Sequence, residues 1–113
     1  GMARRLKELN PKLKVVALEP QRSHTQQGLR NMDDSRVPEL LDWSAIDEKL
    51  VINDQDAFEY TRRLIREEGI FVGISSGTAM AGAIRVAESM QEGNVVTVFP
   101  DRGEKYFSTA LFD

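Results

Sequence analysis

Cysteine is absent from the 113 residues, and histidine occurs only once, as His24. Without cysteine the chain can form no disulfide, no thiolate nucleophile and no cysteine-ligated zinc or iron–sulfur centre. A single histidine also excludes histidine-rich metal sites, so we expect no metal site. Much of metal and redox chemistry is therefore excluded by composition.

Long apolar runs and an excess of basic charge are also missing. No apolar segment approaches the roughly 20 residues that cross a bilayer, and no amino-terminal stretch has the three parts of a signal peptide. We therefore expect a cytoplasmic location and no membrane partner. Acidic residues outnumber basic ones by 18 to 15, for a net charge of -3. The basic residues form no stripe with aromatics between them, so no nucleic-acid partner is expected.

Helical periodicity marks three segments. The first extends from Met2 to Asn10, where the following proline stops it. The second begins at Asn53, a suitable N-cap, and ends at Gly69, which can adopt the left-handed conformation. The third ends at Gly93. Its predicted inner face comprises Ala79, Ala83, Ile84, Ala87 and Met90.

Four short segments are predicted strands, and the first is a continuous apolar run, as expected for a parallel strand buried on both faces. They are Val15–Leu18, Lys49–Ile52, Ile70–Val72 and Val95–Phe99. Because these strands alternate with helices, the pattern predicts an α/β fold with a parallel sheet and right-handed crossovers.

The segment from Gln21 to Asp34 has no periodicity. It is polar, contains Gly28 and has no apolar run that could build a core. We read it as a long, mobile surface loop of the kind that often covers a site.

Two polar turns follow predicted strands, and ligands of parallel sheets bind at the carboxyl ends of strands. One turn contains Ser75 and Ser76 between two glycines, and the other is Asp101-Arg102-Gly103. The serine hydroxyls and the amides at the helix start can bind a ligand ring or an anion. Taken alone, the first pattern is more often an ordinary strand-to-helix turn with Ser76 as its N-cap.

Taken together, these motifs resemble the carboxyl-terminal part of cysteine synthases, which are pyridoxal-phosphate enzymes of the tryptophan synthase β-like fold. The resemblance is carried by residues 67–77, with Gly73-Ile74-Ser75-Ser76-Gly77, and by residues 100–109. Asp101-Arg102-Gly103 is similar to the B-type enzymes. The resemblance to cysteine synthases implies a three-layer α/β fold with a mostly parallel sheet and flanking helices. It also implies that residues 1–113 are a carboxyl-terminal fragment, with residues 21–36 as the active-site flap.

The resemblance also implies site residues. Ser75 corresponds to the serine that hydrogen-bonds the pyridine nitrogen of pyridoxal 5'-phosphate, and Asp101 lies close to the cofactor and could reach the same nitrogen. Arg30 takes the place of the flap arginine and is the expected substrate contact, since a guanidinium suits a phosphate or carboxylate. No catalytic residue is assigned, because the family's cofactor-binding lysine belongs to its amino-terminal portion.

The implied parent makes L-cysteine by β-replacement on O-acetylserine or O-phosphoserine. Its expected partners are an activated serine, a sulfur donor (sulfide, thiosulfate or a thiocarboxylate carrier protein) and a second subunit in a homodimer. Without the lysine, the fragment alone is expected to be inactive. Two alternatives stay open at this point: an enzyme similar to cystathionine β-synthase or threonine dehydratase, and a non-catalytic α/β module that binds a partner or anion at the Ser75 turn.

Overall fold

A computed structural model describes residues 1–106 as a mixture of helices and parallel strands. In chain order, the elements are α1 (Met2–Leu9), β1 (Val16–Pro20), β2 (Glu48–Ile52), α2 (Asp54–Glu68) and α3 (Ile74–Glu88), with short 3₁₀ turns at Trp43–Ala45 and Gly103–Tyr106. No helix in this part of the chain is long and apolar enough to cross a membrane. The α/β class with a parallel sheet is confirmed.

Strands β1 and β2 pair in parallel, from Val16 opposite Glu48 to Pro20 opposite Ile52. Both were predicted as short strands, and both end at the same edge because parallel strands share a direction. The residues that follow this edge include the loop 21–36 and the start of α2.

Helix α2 begins and ends as its sequence predicts. The Asn53 side chain accepts a hydrogen bond from the Asp56 N–H at 2.7 Å, which satisfies one of the amides left free in the first turn. At the other end Gly69 has φ 69°, a left-handed conformation that glycine adopts without the strain of a Cβ.

Helix α3 packs through its smallest residues, which differs from the predicted inner face. A Cβ on Gly77 would lie 2.0 Å from the Ala57 carbonyl oxygen of α2, and a Cβ on Gly82 would lie 2.4 Å from the Leu18 side chain of β1. The glycines therefore allow α3 to approach both neighbours closely. The predicted face is only half-buried or exposed, because the contact uses another side of the helix. The core consists of Ile52, Ala57, Ile74 and Ala81, with Phe58 and Tyr60 packed against it.

The third and fourth predicted strands do not form in residues 1–106. Val72 makes only a single antiparallel bridge, to Arg102. The segment 95–99 is assigned to no strand, and Val96 is 89% exposed. An apolar run becomes a buried strand only when a neighbouring backbone pairs with it, and no described strand lies beside either segment.

Candidate functional site

The two polar turns singled out in the sequence meet in the structure. The Gly73 N–H donates to the Asp101 carbonyl oxygen at 3.2 Å, and the Gly103 N–H donates to the Phe71 carbonyl oxygen, also at 3.2 Å. These bonds flank the Val72–Arg102 bridge. The start of α3 and the turn around Asp101 are thereby held side by side.

Gly103 makes this close approach possible. A Cβ at this position would lie 2.7 Å from the Phe71 ring and 2.7 Å from the Val72 carbonyl oxygen. Any larger residue would push the two turns apart, so the small residue maintains the spacing between Ser75 and Asp101.

The predicted cofactor residues Ser75 and Asp101 lie next to each other. The Ser75 hydroxyl donates to an Asp101 carboxylate oxygen at 3.4 Å, and Ser75 is half-buried in the first turn of α3. The helix dipole places partial positive charge at this end, which favours the nearby carboxylate. The pair therefore combines a neutral hydroxyl with an anion at a helix start.

Ser76 is not the N-cap of α3, because that position is occupied by Gly73. The Ser76 side chain is fully buried, and among the described residues its hydroxyl has no hydrogen-bond partner. The two adjacent serines therefore differ: the Ser75 hydroxyl hydrogen-bonds Asp101, whereas Ser76 is a buried packing residue.

Arg30, the predicted substrate contact, lies on a different surface. It is exposed and lines a hollow of about 160 Å³ whose lining contains neither Ser75 nor Asp101. The hollow is formed by Ala17, Leu18, Glu19, Met32, Leu41, Trp43, Ile46 and Lys49 together with Arg30. In residues 1–106 no carboxylate lies within ion-pair distance of Arg30, so its charge is available to a ligand.

Two charged side chains that line this hollow, Lys49 and Glu19, form an ion pair. Lys49 Nζ lies 3.0 Å from a Glu19 carboxylate oxygen and 5.6 Å from the centre of the Trp43 ring. The hydrogen bond to buried Glu19 raises the pKa of Lys49 above its usual value. Lys49 is therefore ion-paired with Glu19. Among the residues that line the hollow, Arg30 is the cation without an ion pair in residues 1–106.

The loop 21–36 is attached to the fold by two buried amide side chains, which the sequence reading missed. Gln26 is 1% exposed and Asn31 is 2% exposed. Gln26 hydrogen-bonds Ile52 and Asp54 at the start of α2 and Thr78 of α3. Asn31 donates to the Pro20 carbonyl oxygen at 2.8 Å. The loop is polar as predicted, yet part of its polar surface is inside; its mobility stays a prediction.

Asp54 hydrogen-bonds the buried Gln26 side chain and its neighbour Thr25. Its carboxylate accepts from the Thr25 N–H, the Thr25 hydroxyl and the Gln26 amide at 2.8 to 2.9 Å. Burial would by itself raise the pKa of Asp54, but these hydrogen bonds outweigh it and bring the pKa below its usual value. Asp54 is therefore a charged acceptor at neutral pH.

No group of three or more histidine, aspartate and glutamate side chains in residues 1–106 could hold a metal ion. The polar groups of this site are the Ser75 hydroxyl, the Asp101 carboxylate and the backbone amides at the start of α3.

Comparison with known proteins identifies the class to which this fold and site belong. The family model described as pyridoxal-phosphate dependent enzyme matches residues 1–101. The chain belongs to this family of pyridoxal-phosphate dependent enzymes.

Curated relatives make the assignment narrower. The chain is 35% identical over its whole length to cysteine synthase B of Pseudomonas aeruginosa, and 38% identical over 99% of its length to cysteine synthase B of Escherichia coli. It is also 40% identical over its whole length to O-ureido-L-serine synthase of Streptomyces lavendulae. The chain spans 38%, 37% and 37% of the lengths of these three relatives.

Solved structures show the same fold. A crystal structure of O-ureido-L-serine synthase matches 99% of the chain with a TM-score of 0.89 and 40% identity, and the chain covers 38% of it. Cysteine synthase of Entamoeba histolytica matches 97% with a TM-score of 0.89 and 30% identity, and the chain covers 35% of it. The cysteine synthase resemblance and the pyridoxal-phosphate cofactor of the family are thus confirmed.

The residues at the start of α3 fit one edge of this cofactor. A serine hydroxyl can donate to a pyridine nitrogen, and Ser75 presents one in a half-buried position beside Asp101. The Ser75 hydroxyl beside Asp101 thus suits the ring nitrogen of the cofactor.

Proposed function

We propose that this chain is the carboxyl-terminal part of a cysteine synthase, which makes L-cysteine by pyridoxal-phosphate-dependent β-replacement on O-acetylserine or O-phosphoserine. The Ser75–Asp101 pair carries the proposal, since it contains the hydroxyl that the resemblance implies for the ring nitrogen of the cofactor. The whole-length similarity to two cysteine synthases B supports it.

In this proposal Ser75 donates its hydroxyl proton to the ring nitrogen. When bound, the cofactor withdraws electrons from the α-carbon of the substrate, which allows a group on the β-carbon to leave. A neutral hydroxyl leaves the ring less electron-demanding than a carboxylate would, and this favours rapid elimination. In the structure the single Ser75 hydroxyl proton is donated to Asp101 at 3.4 Å, so in this proposal the hydroxyl turns from Asp101 to the ring nitrogen when the cofactor binds.

Arg30 has the second proposed role. Its guanidinium is exposed and carries no ion pair within the described residues, as a contact for a phosphate or carboxylate requires. Because Arg30 lies in the loop 21–36 and lines a surface apart from Ser75, the proposed contact needs movement of this loop toward the substrate.

The remaining parts of the proposal concern the parent protein. It uses sulfide, thiosulfate or a thiocarboxylate carrier protein as sulfur donor, forms a homodimer and works in the cytoplasm. The isolated chain is proposed to be inactive, because the family's cofactor-binding lysine lies in the amino-terminal portion.

The test is to express the complete gene and assay the purified protein for L-cysteine with each activated serine and each sulfur donor. Turnover by the complete protein, together with no turnover by residues 1–113 alone, is the expected result. A complete gene product that neither binds pyridoxal phosphate nor forms cysteine would contradict the proposal and favour a non-catalytic binding module.

A second candidate is synthesis of a β-substituted alanine other than cysteine. The 40% identity to O-ureido-L-serine synthase and the similarity to the O-acetylserine-dependent cystathionine β-synthase of Helicobacter pylori, at 34% identity, favour it. Supplying O-acetylserine with hydroxyurea, homocysteine or sulfide in competition separates these activities, because each nucleophile yields a product of different mass.

A further inference from the structure

The buried side chain of Gln26 connects the loop 21–36 to helix α3. Its Nε2 donates to the Ile52 carbonyl oxygen and to an Asp54 carboxylate oxygen, both at 2.9 Å. Its Oε1 accepts from the Thr78 hydroxyl at 2.6 Å. Both ends of the amide are thus engaged in a site from which water is excluded.

The orientation of this amide follows from its neighbours. The nitrogen faces two acceptors and the oxygen faces a hydroxyl donor, so a flipped amide would set oxygen against oxygen at Ile52 and Asp54. Thr78 has a single hydroxyl proton, and Gln26 at 2.6 Å is a closer acceptor than the Ile74 carbonyl oxygen at 3.3 Å. The Thr78 proton is therefore directed at Gln26.

This hydrogen bond lies between the two predicted functional positions. Thr78 follows Ser75 by three residues on α3, so the two side chains share one face, one turn apart. On the loop side, residues 27–30, here called the tip segment, extend from Gln26 to Arg30. Gly28, with φ 82°, allows the chain to turn within the tip segment.

A second anchor closes the tip segment. Asn31 follows Arg30 directly, and its Nδ2 donates to the Pro20 carbonyl oxygen at 2.8 Å, while Glu19 accepts from the Met32 N–H at 3.1 Å. The tip segment therefore lies between two residues with buried amide side chains, Gln26 and Asn31. In the part of the chain that the structure describes, only Gln26 hydrogen-bonds α3, the helix that carries Ser75.

We propose that Gln26 is a positioning residue, which through Thr78 sets the tip segment, and with it Arg30, relative to Ser75. The inference rests on the proposed function, because it takes Arg30 as the substrate contact and Ser75 as the cofactor contact. Gln26 and Thr78 themselves touch neither substrate nor cofactor. Loss of their hydrogen bond releases Arg30 and so weakens substrate binding, whereas cofactor binding stays intact.

The experiment compares three variants of the complete gene product. Thr78→Val removes the hydroxyl with little change in shape, and Thr78→Ser retains it. Thr61→Val is the matched control, since Thr61 is also a buried helical threonine, whose hydroxyl donates to the Ala57 carbonyl oxygen at 2.7 Å, has a longer contact to the Gly73 carbonyl oxygen at 3.5 Å and has no described hydrogen bond to the loop 21–36. We measure amide hydrogen exchange of the tip segment without substrate, the KM for the activated serine, kcat and the cofactor dissociation constant.

The expected result for Thr78→Val is faster exchange in the tip segment and a higher KM, each by about three- to tenfold, as expected for one hydrogen bond. Expected kcat and cofactor affinity stay within about twofold, Thr78→Ser restores both changed quantities, and Thr61→Val leaves them unchanged. In an Arg30→Ala background, Thr78→Val is expected to raise KM no further, because it acts through Arg30.

Three outcomes would overturn the inference. Unchanged exchange would show that Thr78 does not hold the tip segment. Faster exchange with an unchanged KM would show a structural role without positioning. An unaltered protein that turns over no activated serine would overturn the proposed function and this inference with it, so the two failures are distinguishable.

Discussion

The Ser75 hydroxyl donates to the Asp101 carboxylate at 3.4 Å across a contact between two chain segments 26 residues apart. Backbone hydrogen bonds on both sides of Val72 hold these segments together, so the backbone fixes the distance between Ser75 and Asp101. This rigidity makes the two side chains a suitable site for testing the proposed cofactor contact.

We expect Ser75→Ala to lower kcat/KM of the complete protein about tenfold or more, because the ring nitrogen loses its hydrogen-bond donor. Asp101→Asn keeps an acceptor for the Ser75 hydroxyl, so its effect is expected to stay within about threefold. Steady-state kinetics and the absorbance spectrum of the bound cofactor measure both.

The matched control is Ser89→Ala, at the far end of the same helix, where the hydroxyl donates only to the Val86 carbonyl oxygen at 2.6 Å. Its kinetics should equal those of the unaltered protein. A larger loss in Asp101→Asn than in Ser75→Ala would reverse the assignment and make Asp101 the group at the ring nitrogen.

Gly77→Ala is expected to destabilise the fold by about 3 kcal/mol or to prevent folding, because overpacking forces the backbones apart. The added Cβ would lie 2.0 Å from the Ala57 carbonyl oxygen and 2.9 Å from the Thr61 nitrogen. Urea unfolding followed by circular dichroism measures the change. Ala87→Gly, at an exposed position of α3, should cost only about 1 kcal/mol from helix propensity. A Gly77→Ala protein as stable as the parent would show that α2 and α3 are not in close contact.

Ser76→Ala is expected to raise the free energy of unfolding by about 1 kcal/mol. The Ser76 hydroxyl is fully buried and has no hydrogen-bond partner within the described residues, so its removal relieves a desolvation cost. Alanine is also the better helix former. Chemical denaturation gives the value, with Ser89→Ala as the exposed reference. A loss of stability instead would reveal a partner for this hydroxyl in the complete protein.

The pH dependence of stability should report on Asp54. Its pKa is lowered in the folded state, where hydrogen bonds from Gln26 and Thr25 outweigh the effect of burial. A depressed carboxyl pKa contributes stability above the unfolded value of about 4, and the contribution is lost as pH falls through the folded pKa. Asp54→Asn should therefore lower stability at pH 7 and flatten its decline below about pH 5.

Free energies of unfolding measured by denaturant titration at several pH values provide the test. Asp33→Asn, at an exposed position of the loop 21–36, is the reference variant for the loss of one carboxylate. If Asp54→Asn follows the same acid profile as the unaltered protein, the carboxylate does not hold the Gln26 anchor.

Local features were predictable because their causes are local. Asn53 caps α2 through an amide three residues away, and Gly69 ends it with its own backbone conformation. The strands β1 and β2 likewise follow from short apolar runs. The sequence also predicted that the Ser75 and Asp101 turns lie near each other, but at the ends of parallel strands, whereas in the structure an antiparallel bridge between Val72 and Arg102 joins them.

Other features depended on neighbours that a single segment does not reveal. The apolar run 95–99 has strand composition, yet Val96 is 89% exposed, since residues 1–106 provide no strand to pair with it. The contact face of α3 was misread because Gly77 and Gly82 carry no apolar side chain, although their small size is what permits the contact. Gln26 and Asn31 appeared to be ordinary loop residues until their buried hydrogen-bond partners were known.

By itself, the sequence determined the α/β class, the ends of α2, the absence of cysteine chemistry and the motifs that resemble cysteine synthases. These depend on composition and on interactions within a few residues. The tertiary structure alone decided that the Ser75 hydroxyl hydrogen-bonds the Asp101 carboxylate, that Ser76 is buried with no partner in residues 1–106 and that Arg30 lines a separate hollow. The reason is physical: burial and hydrogen bonding between distant segments are set by how the elements pack, and spacing along the chain does not encode that packing.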